Sequence, residues 1–127
     1  MDRIYISGKI GGMTISDAVR EKFKRAEETL GRHFNPEFCQ FINPASEAFQ
    51  EAMDVAFQWR RIPKNLPDIL LYDLQWLRTC DGICLLYDWR DSSGARTELA
   101  FAQATGIRVY EMSQYGEIVI WEPKEKK

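Results

Sequence analysis

Histidine and cysteine are scarce in this chain of 127 residues, which has one histidine, His33, and three cysteines. The cysteines, Cys39, Cys80 and Cys84, are odd in number, and their spacing fits no zinc motif. A lone histidine without a histidine or cysteine cluster around it is a poor metal candidate. We therefore do not expect a metal enzyme or a histidine-based catalytic triad, and we expect no metal and no cofactor.

A basic excess and long apolar runs are missing as well. The formal net charge is -2, from 17 basic and 19 acidic residues, whereas proteins that bind nucleic acid usually carry a basic excess. No apolar run approaches the roughly 18 to 20 residues of a membrane span. The start at Met1 leads into a short strand pattern and not into an apolar signal segment. We expect a cytoplasmic protein that binds neither nucleic acid nor a membrane.

The remaining composition is that of one globular domain. Hydrophobic residues make up 45% of the chain and aromatic residues 13%, which is enough to build a core. We assign residues 1–121 to a single domain and residues 122–127 to a short tail of mixed charge. The four tryptophans exceed what a core of this size must bury, so we expect some of them at an interface. We predict a homodimer or a higher homo-oligomer.

Strand and helix patterns alternate along the chain. Runs of β-branched, aromatic and other apolar residues predict five strands, over residues 3–6, 39–42, 82–87, 107–110 and 117–121. Alternation of this kind is typical of an α/β fold. We predict a flavodoxin-like, doubly wound sheet of about five mostly parallel strands in the order 2-1-3-4-5, with helices on both faces. The last strand is either parallel or, because only a short turn precedes it, antiparallel.

Local signals mark the ends of the predicted helices between these strands. Thr14 followed by Asp17 resembles the start of the first helix, and Gly31 is expected to end it. Ser46 is expected to cap the second helix, and Pro67 suits the first turn of the third.

Polar residues and glycines follow the ends of the first three predicted strands. In a parallel sheet these carboxyl ends share one rim, where ligands bind, so the side chains there can converge. The glycines after the first strand allow a phosphate or base to approach the backbone closely, although their spacing matches neither a P-loop nor a dinucleotide motif. The aromatic and acidic residues after the third strand either hold a base or lie in a dimer contact. The residues concerned are Ser7, Gly8, Gly11, Gly12, Asn43, Asp88 and Trp89.

Residues 92–98 place a serine pair and Gly94 at the turn between the third strand and the fourth helix, with Glu98 on about the first helical turn. Free N–H groups at such a turn suit an anion or a sugar hydroxyl. A carboxylate there can attack a sugar carbon. Alternatively, Ser92 or Ser93 only caps the helix and Glu98 only complements its dipole.

Asp73 lies on or beside the apolar face of the third helix, because it follows Leu70 by three residues and precedes Leu77 by four. A carboxylate is rarely placed there without a partner. It either binds a ligand or works as an acid or base with a raised pKa, or it bonds to a nearby backbone amide or arginine.

The order and spacing of four short stretches resemble the nucleoside 2-deoxyribosyltransferase-like superfamily. The stretches are Tyr5-Ile-Ser-Gly8, Asn43-Pro-Ala45, Asp73-Leu74, and Ser92-x-Gly94-x-x-x-Glu98. The closest likeness is to short uncharacterised members of the DUF4406 kind, which carry a Trp-x-x-Ser-x-Gly-Ala-Arg-x-Glu stretch, here residues 89–98.

The resemblance implies an enzyme that cleaves the N-glycosidic bond of a nucleoside or nucleotide. It is expected to be either a nucleoside 5′-monophosphate N-glycosidase or a nucleoside deoxyribosyltransferase. Glu98 would be the nucleophile, and Asp73 would contact the sugar or assist proton transfer. The residues expected to bind the substrate are Tyr5, Ser7, Gly8, Gly11, Gly12, Asn43, Asp88, Trp89, Ser92, Ser93, Gly94 and Arg96.

Two departures from the superfamily pattern qualify this expectation. Ser92 stands where the transferases have an aspartate, which resembles the branch that hydrolyses monophosphates and favours that reaction. Arg96 and Thr97 replace the small and aromatic residues that precede the glutamate in both enzyme branches. Arg96 either pairs with Glu98 or Asp73 or binds an anion. A nucleotide-binding or sensing module without turnover is therefore the alternative.

Overall fold

A five-stranded sheet organises the computed structural model, which describes residues 2–121. The strands are β1 (Asp2–Ser7), β2 (Cys39–Ile42), β3 (Gly82–Leu85), β4 (Arg108–Met112) and β5 (Ile118–Ile120). Their order in the sheet is β2-β1-β3-β4-β5, and the first four strands of this order run parallel to one another. β5 is antiparallel to β4, which decides between the two alternatives for the last strand. The predicted fold is thus confirmed.

Four α-helices connect the strands, and each begins at a polar capping residue. The helices are α1 (Asp17–His33), α2 (Glu47–Arg60), α3 (Leu66–Leu77) and α4 (Ser93–Thr105), with a 3-10 turn over Trp89–Asp91 before α4. The capping side chains accept a backbone N–H within the first helical turn, which satisfies one donor that the helix itself cannot pair. They belong to Ser16, Ser46, Asn65 and Ser92.

The ends of α1 differ from the sequence prediction. Ser16 caps the helix, since its Oγ accepts a hydrogen bond from the N–H of Val19 at 3.1 Å, so the start predicted at Thr14 was wrong. Gly31 does not end the helix, which continues to His33. A single glycine costs about 1 kcal/mol inside a helix, and the packing of the buried Phe23, Ala26 and Leu30 side chains outweighs it.

Strands also end earlier or later than predicted. β3 stops at Leu85 instead of residue 87, because the chain turns after the N–H of Leu86 bonds to the carbonyl of Ser7 at 2.8 Å. β4 runs to Met112, and β5 covers residues 118–120 only. The tail predicted over residues 122–127 lies outside the described residues.

Helices cover both faces of the sheet. On one face α1 packs against strand residues such as Ile4, Ile6 and Cys84. On the other face α2, α3 and α4 pack against residues such as Tyr5 and Ile83. Side chains alternate between the faces along β1, so Tyr5 and Ser7 both point toward α4. Within residues 2–121 no helix combines the length and the apolar character needed to span a bilayer.

Candidate functional site

A cavity of about 310 Å³ opens at the carboxyl edge of the sheet. Its walls come from the loop after β1, from α3 and from the first two turns of α4. A larger groove, about 590 Å³, lies between α1 and the turn from β4 to β5. The smaller cavity is the candidate site because two buried carboxylates, Asp73 and Glu98, line it.

Glu98 is held by two hydroxyl groups from β1. Tyr5 Oη donates a hydrogen bond to its Oε2 at 2.9 Å, and Ser7 Oγ donates one to its Oε1 at 2.6 Å. The residue is the sixth of α4 and 6% exposed, so it lies on the second helical turn and not on the first. Its orientation therefore comes mainly from the two hydroxyls, because a helix dipole acts chiefly within the first turn.

Burial raises the pKa of both carboxyl groups in the cavity. The pKa of Glu98 rises from 4.5 to about 7, although the hydrogen bonds from Ser7 and Tyr5 oppose the shift. The pKa of Asp73 rises from 3.8 to about 8, first through burial and then through the charge of Glu98. Burial and the negative charge of Glu98 also raise the pKa of the Tyr5 phenol, so it stays protonated and donates.

The surroundings of the two carboxyl groups favour different protonation states. Two donors stabilise the charged form of Glu98. Asp73 Oδ1, in contrast, is buried and has no hydrogen-bond partner among the residues that the structure describes. An unpaired buried charge is costly, so a proton binds to Asp73 more readily than to Glu98. The cavity thus contains one carboxyl group whose charged form is stabilised and one whose neutral form is favoured.

The start of α4 forms one end of the cavity. Ser92 Oγ accepts a hydrogen bond from the N–H of Ala95 at 3.0 Å and caps the helix, as one of the two alternatives predicted. Ser93 and Gly94 occupy the first two helical positions, where an N–H has no partner within the helix. Ser92, Ser93 and Gly94 all line the cavity, so these donors can meet an anion or a hydroxyl.

The loop after β1 forms the facing wall through Gly8, Gly11 and Gly12. A Cβ on Gly8 would lie 3.0 Å from the side chain of Leu86, so a larger residue would push Leu86 and the loop apart. Gly11 and Gly12 have φ angles of 86° and 126°, which other residues rarely adopt.

Five residues predicted to bind substrate do not line the cavity. Ser7 reaches it only through its hydrogen bond to Glu98. Trp89 is buried elsewhere, with Nε1 donating to Glu111 and its ring packing edge-on against Trp121. Asn43 bonds to Glu27 and to the N–H of Ala45. Arg96 donates to the carbonyl of Arg90 and therefore does not pair with either cavity carboxylate. Asp88 pairs with Lys22 and with the loop backbone.

Other cavity residues were not predicted to bind substrate. The wall from α3 includes Leu66, Ile69 and Leu70, which gives the cavity an apolar side suited to a flat ring. Thr97 lines it too, while its Oγ1 donates to the carbonyl of Ser93. Helical spacing predicted that this face of α3 is apolar. It could not show which turns of α3 pack in the core and which line the cavity. Among residues 2–121 no cluster of three or more His, Cys, Asp or Glu side chains is suited to a metal.

The fold and the site define an α/β protein with a carboxylate cavity at the sheet's carboxyl edge. The family model described as "Domain of unknown function (DUF4406)" matches residues 2–111, and the chain belongs to this family. The match covers all cavity residues named above. No curated protein matches the chain.

Proposed function

We propose that the protein cleaves the N-glycosidic bond of a nucleoside or nucleotide, with Glu98 as the nucleophile. The observation that carries the proposal is the buried pair in one cavity: Glu98, which accepts two hydroxyl hydrogen bonds, and Asp73, whose Oδ1 has no hydrogen-bond partner. A nucleophile and an acid are the two groups that a retaining displacement at a sugar carbon requires. The likeness to the nucleoside 2-deoxyribosyltransferase-like superfamily supports the same chemistry.

The proposed reaction takes two steps. First, a carboxylate oxygen of Glu98 bonds to the sugar C1′ as the bond from C1′ to the base nitrogen breaks, and the proton of Asp73 moves to the leaving base. Second, water attacks C1′, the bond from C1′ to Glu98 breaks, and the water's proton returns to Asp73. Both residues end in their starting states. If a second base replaces water, the reaction is a transfer and not a hydrolysis.

Hydrolysis of a nucleoside 5′-monophosphate is the narrower proposal, and base exchange is the close second. The backbone donors at Ser93 and Gly94 and the glycine loop favour a phosphate. Lys9 also lines the cavity and supplies a countercharge, whereas Arg96 turns away. Asp91 lines the same cavity and opposes an anion, so the two substrate classes need a direct comparison.

Chromatography of a substrate panel tests the proposed function. Ribo- and deoxyribonucleosides and their 5′-monophosphates are incubated with the protein, with and without an acceptor base, and free base is quantified. We expect at least one substrate to release base above the level given by Glu98→Ala. If no substrate does so, the catalytic proposal is wrong.

Ser92→Ala separates the two substrate classes. If Ser92 binds phosphate, the change weakens binding of a monophosphate by roughly 1 to 3 kcal/mol, the value of a hydrogen bond to a charged group. It should leave the matching nucleoside nearly unaffected, as measured by isothermal titration calorimetry. Ser46→Ala is the matched control, because it removes the equivalent cap of α2 far from the cavity. Equal losses for both ligands would show that Ser92 contacts the sugar or only caps α4.

The alternative function is nucleotide binding or sensing without turnover. It is favoured by the two hydroxyls on Glu98, because a carboxylate with both oxygens engaged is a weaker nucleophile. Ligand at about 100 times its dissociation constant should then stabilise the protein by roughly 2.7 kcal/mol in a thermal shift assay. Stabilisation without base release supports this function, and no shift with any nucleotide counts against both functions.

We also propose that the protein is a homodimer or a higher homo-oligomer. Of the four tryptophans, Trp59 is 83% exposed, Trp89 is buried, and Trp76 and Trp121 are half-buried. Of the four tryptophans, Trp59 is therefore the one exposed enough to lie at an interface. Light scattering at micromolar concentration should give a mass of at least two chains, and Trp59→Lys should lower it. A wild-type monomer would contradict the prediction.

A further inference from the structure

A half-buried ion pair outside the cavity contacts the backbone of the glycine loop. Lys22 Nζ, on α1, pairs with Asp88 Oδ2, in the loop after β3, and their side chains are 19% and 17% exposed. Both also bind the backbone of Lys9: Lys22 Nζ donates to its carbonyl at 2.6 Å, and Asp88 Oδ1 accepts from its N–H at 3.1 Å. We call this arrangement the Lys9 clasp.

The Lys9 clasp binds the glycine loop at Lys9, close to Gly11 and Gly12. Gly11 and Gly12 add conformational freedom to the loop, and an added Cβ at either would contact nothing within 4 Å. Ser16 anchors the far end as the cap of α1. The near end is fixed at Lys9, where both backbone polar groups are engaged by oppositely charged side chains. Such charge-assisted bonds are roughly twice as strong as neutral ones.

We propose that Lys22 and Asp88 are positioning residues that hold the loop of residues 8–12 as a wall of the cavity. Neither touches the cavity carboxylates; they act through the backbone of Lys9. Asp88 is free for this task because its side chain makes no capping bond to the 3-10 turn that it precedes. The inference relies on the proposed function only in taking this cavity as the ligand site.

Limited trypsin digestion measures the clasp without any substrate. Trypsin cuts after Lys9 only when the backbone there is released, and the rate of the cut follows the population of the open loop. Lys22→Met should speed cleavage of the bond between residues 9 and 10 by at least about tenfold, as followed by mass spectrometry. Cleavage after Lys64, in the loop between α2 and α3, is the internal reference and should not change.

Three further variants keep the test specific. Lys22→Arg retains the charge and the donors and should restore near wild-type cleavage. Asp88→Asn retains an acceptor for the N–H of Lys9 but loses the ion pair, so it should speed cleavage less than Lys22→Met. Lys24→Met removes an exposed lysine from the same helix and should cleave like wild type. Equal cleavage after Lys9 in folded Lys22→Met and Lys24→Met would overturn the proposal.

Kinetics add a second readout when the substrate panel yields a substrate. Lys22→Met should then raise KM much more than it lowers kcat, because it loosens a wall and leaves Glu98 and Asp73 in place. An equal fall of kcat and kcat/KM with KM unchanged would contradict a positioning role. The trypsin result stands even if no base is released, so failure of the clasp and failure of the proposed function are distinguishable.

Discussion

Glu98→Gln is expected to lower base release by at least about 10³-fold, because the amide cannot form the bond to C1′. The change is nearly isosteric, and the amide can still receive a hydrogen bond from Tyr5 or Ser7. The fold and the affinity for a substrate should therefore survive. Base release is measured by chromatography at saturating substrate, and ligand affinity by calorimetry.

The control for Glu98→Gln is Glu51→Gln, which changes an exposed glutamate on α2. It should release base at the wild-type rate. Full activity of a folded Glu98→Gln protein would exclude Glu98 as the nucleophile. Loss of both binding and folding would instead point to a structural role, which is why the melting temperature of each variant is measured first.

Asp73→Asn is expected to make stability less dependent on pH. The folded pKa of Asp73 is raised from 3.8 to about 8, chiefly by burial. The contribution of Asp73 to the free energy of unfolding is thus fully present below its unfolded pKa. It is lost as the pH rises toward its folded pKa. Asparagine resembles the protonated acid and does not titrate. The free energy of unfolding of Asp73→Asn relative to wild type should therefore increase by at least about 2 kcal/mol between about pH 4 and pH 8.5. The reason is that each unit of pKa difference corresponds to about 1.4 kcal/mol.

Urea denaturation across this pH range measures the effect. Asp54→Asn is the control, because Asp54 is an exposed carboxylate whose pair with Lys64 contributes little. The difference between this variant and wild type should stay constant with pH. A constant difference for Asp73→Asn as well would show that the pKa of Asp73 is not raised in the folded protein, and that Asp73 does not supply the proton.

The fold could be predicted because its signals are local and mutually consistent. Alternating strand and helix patterns and the buried run of β3 indicated the α/β class, and a common doubly wound arrangement then supplied the strand order, which the structure confirms. Helix ends were predicted less accurately, because at Gly31 the packing of α1 overrides the weak helix propensity of glycine. A single residue's preference is smaller than the energy of a buried helical face.

The candidate site could be predicted in part. Asp73 was found because a carboxylate on an apolar helical face is unusual, and the same argument applies to Lys22, which follows Val19 by three residues and precedes Ala26 by four. The roles of Tyr5 and Ser7 could not be found this way. They were expected to bind substrate, but both donate to Glu98, and that contact depends on how α4 packs across the sheet.

Trapping of the glycosyl-enzyme tests the central claim most directly. A 2′-fluoro-substituted nucleoside or its monophosphate slows the second step, so the sugar should accumulate on the protein and be seen by intact-mass spectrometry. Trypsin then releases residues 97–108, in which Glu98 is the sole carboxylate side chain. We predict that this peptide carries the mass of the sugar and that Glu98→Gln carries none. A sugar on another peptide, or base release without any adduct, would contradict the assignment of Glu98 as the nucleophile.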